Sequence, residues 1–213
     1  MVVDLKDLSD MEKHYLASSF KGLKNYSLLS IIASIFLGFS VMWIMMRSIR
    51  RMFGAIVIPL GLFPLIILLF MALIGCILLL IAVYLYLFDS MRNLSNYNVN
   101  YSSVSSIVKI GYLGGVISLI AGFLTIPLII LSYLLIPIGL LLLIVGKIGL
   151  VIILFKLGGD FGEALFIGSA IIYLIGILIL PIDFVAAILL YSASNGMLNK
   201  IKLYAPSPST QVV

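Results

Sequence analysis

Lys147 and Asp183 are ionisable residues set inside otherwise apolar sequence. A charge held at mid-bilayer costs about 3 kcal/mol or more, so such a residue is read first as a functional site, here a pore or gate charge. The plainer alternative for Lys147 is a side chain that snorkels to the interface from a span ending near Gly146. The remaining chemistry-bearing side chains are sparse. His14 is the sole histidine and Cys76 the sole cysteine, so no paired ligands for haem, no Cys/His metal site and no intrachain disulfide can be assembled. No phosphate-cradling or dinucleotide glycine pattern occurs. Asp89 and Asp183 both fall near span ends, which does not suit intramembrane proteolysis by two deep acids. The expectation is a non-enzyme with no cofactor and no metal.

The elements that must position these residues are set by lipid. The chain has 213 residues, 63% hydrophobic and 10% charged, with a mean hydropathy of +1.31. Soluble domains carry about 25% charged residues, so the fold class expected is all-α, a polytopic transmembrane helical bundle with the bilayer as its first partner. The net charge of +5 suits anchoring at anionic headgroups and gives no reason to invoke nucleic acid. Residues 110–146 contain no charge. As one helix they would run about 55 Å, against a hydrocarbon core of about 30 Å. They are therefore read as two helices reversing near Pro127.

Taken in order, residues 1–26 form a charged segment in which Ser9 and Glu12 are spaced as a capping box. Asp10, Lys13, His14, Lys21 and Lys24 then share one helical face. This reads as an amphipathic helix lying on the bilayer, or equally as a solvated extension of the first span. No cleavable signal peptide is expected. The transmembrane domain is assigned to residues 27–198, with about five spans. The first is Tyr26 to Met46. Phe53 to Phe63 is interfacial or re-entrant, and Pro64 to Phe88 is the second span. Residues 89–106 are a polar loop bearing acceptor patterns at Asn93 and Asn100. The third span is Ser106 to Ile126 and the fourth Tyr133 to Phe155. The fifth starts near Ala164 and reaches Pro181 or Leu190. Residues 199–213 read as a disordered tail.

Five spans place the termini on opposite sides. Seven basic residues then lie on the N-terminal side against five on the other, which favours a cytoplasmic N-terminus. With span five unbroken, Lys147 lies about 16 Å and Asp183 about 30 Å above the Gly158 to Glu163 break, a miss of about 14 Å. Asp183 is therefore expected to pair with Arg47, Arg50 or Arg51, and Lys147 with Asp89, Asp160 or Glu163. Gly111, Gly115, Ser118 and Gly122 make one smooth face on span three, suited to close helix packing within the chain or against a second copy.

The succession NYNVNYSSVSSIVKIGYLGG, an uncharged hairpin, then KLGGDFGEALFIGSAII resembles an archaeal family of multi-pass membrane proteins, domain of unknown function 973. The resemblance covers Ser27 to Lys200 and implies an archaeal plasma membrane, with no activity to carry over. Two functions are weighed first, with a membrane-bound enzyme acting on lipid through a polar pocket near Asp89, Asp160 and Glu163 as a third. One is a non-catalytic structural or accessory subunit of a membrane assembly, partnered by other membrane subunits or by itself. The other is a small channel or transporter using Lys147 and Asp183 as pore or gate charges.

Overall fold

The computed structural model of the protein describes residues 3–52, 62–126, 128–178 and 182–204. Among these residues every regular element is helical. The elements are α1 (Asp10–Met52), α2 (Leu62–Ile81), α3 (Phe88–Tyr97), α4 (Ser102–Leu124), α5 (Ile129–Phe161), α6 (Ala164–Gly176) and α7 (Asp183–Tyr204). A π-helical turn, Ala82–Leu87, joins α2 and α3 into one rod. Four helical segments are long and apolar enough to cross a membrane: Asp10–Ser40, Ile66–Tyr97, Val99–Leu124 and Ile129–Phe161.

The capping box forms as its spacing requires. The Ser9 N–H donates to Glu12 Oε2 at 2.8 Å and the Glu12 N–H to Ser9 Oγ at 3.3 Å. The helix it opens is not a separate surface element. α1 continues unbroken for 43 residues, and Leu16, Phe20 and Leu23 are fully buried in the protein core. Phe20 packs on Phe161 and Phe166, each ring 5.7 Å away. From Asp10 the segment is therefore continuous with the first candidate span, and protein covers its Leu16, Phe20 and Leu23, while Met11 stays exposed.

The polar stretch expected as a loop over residues 89–106 is also mainly helix. Ser90, Met91 and Leu94 are buried against α1. Ser19 Oγ donates to the Ser90 carbonyl and Ser90 Oγ to the Ser19 carbonyl, both at 2.9 Å. These reciprocal bonds satisfy two buried hydroxyls and hold the rod on α1. Gly22 lets the approach happen, since a Cβ there would meet the Tyr86 carbonyl at 2.8 Å. Asn93 turns its amide to Ser18 Oγ at 3.1 Å.

The uncharged stretch folds as the bilayer length demands, with α4 and α5 reversing between Leu124 and Ile129. Pro127 itself lies outside the described residues, as do residues 53–61, which make up most of the segment read as interfacial, and 205–213 of the tail. α5 ends where Gly162 takes the left-handed conformation at φ 64°, a backbone state that favours glycine at a helix C-terminus.

The main correction concerns the fifth span. α6 has 13 residues, about 20 Å of helix, and a crossing needs roughly 20 residues. The chain then turns back as α7. Ser169 Oγ donates to the Ala186 carbonyl at 2.8 Å, and Lys200 pairs with Glu163 at 2.6 Å, so the two helices run antiparallel from end to end. The hairpin enters and leaves on one face. The Val3 N–H donates to the Asp160 carbonyl on that same face at 2.7 Å. Both described ends of the chain therefore lie together, with four candidate spans and a hairpin of α6 and α7 where a fifth span is expected.

The neighbour order closes into a ring. α1 packs on the α2–α3 rod, that rod on α4, α4 on α5, α5 on α6, α6 on α7, and α7 back on α1. Lys24 secures the closure, reaching Asn195 Oδ1 at 2.9 Å and lying over the Tyr191 ring.

Candidate functional site

Lys147 and Asp183 form an ion pair, with Lys147 Nζ donating to Asp183 Oδ2. Their side chains are 13% and 16% exposed. This reverses the expectation that they miss each other. The physical reason is that span five is not one rod, because the chain reverses between Gly176 and Asp183. Lys147 lies 14 residues before Phe161 and Gly176 lies 12 after Ala164, about 21 Å and 18 Å up their helices. The reversal places the first residue of α7 at the level of Lys147.

The expected partners are engaged elsewhere. Asp160 accepts from the Tyr101 hydroxyl at 2.5 Å, Glu163 pairs with Lys200, and Asp89 accepts from Asn93 at 3.3 Å. Asp183 is held by Lys147 in place of Arg47, Arg50 or Arg51, whose side chains lie outside the described residues.

Gly176 completes the arrangement. Its carbonyl accepts a second hydrogen bond from Lys147 Nζ at 3.5 Å, and its Cα sits so close to the Asp183 carboxylate that any Cβ would collide with Oδ1. The ammonium thus meets a carboxylate and the C-terminal end of α6, where the helix dipole is negative. The carboxylate stands in the first turn of α7, the end that favours an anion.

Three tyrosines meet at this level, and sequence reasoning did not single them out. Tyr26 of α1 and Tyr112 of α4 have ring centroids 6.2 Å apart. α1 and α4 are not neighbours in the ring, so these rings touch across its interior. Tyr26 also faces Tyr173 of α6 and Ser30. Tyr112 packs on Gly146, one residue before Lys147. All three tyrosines lie within electrostatic reach of Asp183 and are at most 3% exposed. The Tyr112 and Tyr173 hydroxyls and Asp183 Oδ1 are buried without a hydrogen-bond partner among the described residues. Their sequence signal was weak, because tyrosines in spans read equally well as interface anchors.

The small-residue face of α4 is taken up within the chain. Gly111 lies on Gly146, Gly115 on the Leu143 backbone and the Gly139 carbonyl, and Gly122 on Ile136. Ser118 of the same face is half-buried. Among the described residues no group of three His, Cys, Asp or Glu side chains is placed to hold a metal. Comparison of the chain with protein-family models, with curated proteins and with solved structures returns no match.

Proposed function

We propose that this protein is a small membrane channel or transporter, with Lys147 and Asp183 as its gate charges. The observation that carries this reading is the ion pair at the tip of the α6–α7 hairpin, which joins α5 to α1 in the closed ring of helices. Helices broken near mid-membrane, with their ends turned toward a charge, are the recurring build of transport sites. A structural role explains the pair poorly. Replacing a buried ion pair by apolar side chains is often neutral or stabilising by about 1–4 kcal/mol, so packing alone gives no reason to keep it. The reading of a structural or accessory subunit draws on the missing redox ligands and the sparse polar loops as well as on the α4 face, and of these the α4 face is occupied by α5.

We place the chain in the plasma membrane of an archaeon, following the sequence resemblance, with a cytoplasmic N-terminus. Under four crossings, Lys6, Lys13, Lys21, Lys24, Arg92, Lys109, Lys156, Lys200 and Lys202 share the terminal side, against Arg47, Arg50 and Arg51 opposite. That asymmetry supports the orientation more strongly than five spans did. Ion flux into proteoliposomes is the test. Wild type is expected to pass ions above the empty-vesicle leak, and Lys147→Met/Asp183→Asn to insert and fold without doing so. Equal flux through wild type and the double variant, or none through either, contradicts the proposal.

A further inference from the structure

We infer that the Asp183 carboxylate and the Gly176 carbonyl form a binding site for a small monovalent cation, which the Lys147 ammonium fills as an internal competitor. This names the substrate class for the transport reading and rests on it, but the site can be tested without flux.

The sign of the site follows from its walls. A carboxylate and the carbonyl end of a 13-residue helix converge on one point, and both attract positive charge. An anion would meet a carboxylate and a negative helix end. The charge number follows from burial. One carboxylate balances one positive charge, and a divalent ion would leave an excess charge in surroundings where unpaired charge is costly. The site already holds a primary ammonium, so its dimensions suit an alkali ion, ammonium or methylammonium. Asp183 Oδ1 has no hydrogen-bond partner among the described residues, so a second carboxylate oxygen remains as a ligand when Nζ leaves. Gly176 permits the approach, because a side chain there would occupy the carboxylate's place.

The experiment is thermal unfolding of the purified full-length protein at constant ionic strength, in choline chloride and with sodium, potassium, methylammonium or magnesium exchanged in. For Lys147→Met the midpoint is expected to rise by about 4 °C or more in at least one monovalent salt, saturating with concentration. Which salt acts distinguishes an alkali-ion site from an ammonium site. Wild type, with its own ammonium competing, is expected to need at least about tenfold more cation for the same shift. Lys147→Met/Asp183→Asn is expected to show no difference among the salts. Superimposed curves for Lys147→Met, an equal shift in the double variant, or an equal shift with magnesium overturns the inference. So does a Lys147→Met protein that folds in none of the salts, since a cation is claimed to stand in for the lysine. A shift without flux upholds the site and refutes transport. Flux without a shift refutes the site alone.

Discussion

Removing either charge of the Lys147–Asp183 pair strands the other in a site where both side chains are under a fifth exposed. The penalty for leaving one partner of a buried pair alone is about 3–5 kcal/mol. Asp183→Asn in choline chloride is therefore expected to lower the unfolding midpoint clearly, and Lys147→Met/Asp183→Asn to recover most of the loss. A double variant as unstable as the sum of the singles would mean that the two charges do not interact. Gly176 makes a second expectation at this scale. Gly176→Ala puts a methyl where the carboxylate lies, and overpacking of this kind costs about 1–3 kcal/mol. It should destabilise the protein even though alanine is the better helix former, and chromatographic monodispersity with a melting curve will read it. None of these roles was legible in the sequence. Lys147 and Asp183 stood out as charges in apolar runs, but their pairing depended on a chain reversal that Pro181 only hints at. Gly176 looked like any glycine in a membrane helix.

At the scale of elements, the α4–α5 hairpin was the most legible part of the fold. Its uncharged length exceeded one bilayer crossing, and its glycine spacing announced a close-packed face. What spacing could not say was which helix would fill that face. The structure supplies Gly139 and Gly146 of α5 as the complement, so the contact is made from small residues on both sides. Gly111→Leu is expected to wedge the two helices apart and lose at least about 2 kcal/mol, by the cost of overpacking. Gly38→Ala, which meets nothing within 4 Å, should be neutral or stabilising by up to about 1 kcal/mol. Denaturant unfolding in detergent compares the two, and equal losses would show that α4 is not held this way. The α3 helix was the opposite case. Its serines and asparagines read as turn formers, because a sequence does not reveal that Ser19 and Ser90 satisfy each other across two helices. The amphipathic N-terminus was ambiguous for a similar reason, since lipid and protein cover an apolar stripe equally well.

At the scale of the molecule, the class of fold followed from composition, because so few charges cannot clothe a water-soluble surface. The number of crossings did not follow. A 13-residue apolar helix before a proline reads as the first part of a span, and only the return of α7 to Glu163 reveals a hairpin. That return puts a hairpin where a fifth span is expected beside four candidate spans, brings both described ends to one face, and lifts Asp183 to the level of Lys147 and the tyrosines. The ring rests on this path, and so do the proposed gate and the proposed cation site. Cysteine labelling tests it most directly. In a Cys76→Ser background, Lys6→Cys and Lys202→Cys are expected to react with a membrane-impermeant maleimide from the same side of sealed vesicles, and Ile130→Cys, at the far turn, only from the other. Labelling of Lys6→Cys and Lys202→Cys from opposite sides would mean that the last two helices cross together as a fifth span, and would contradict the account.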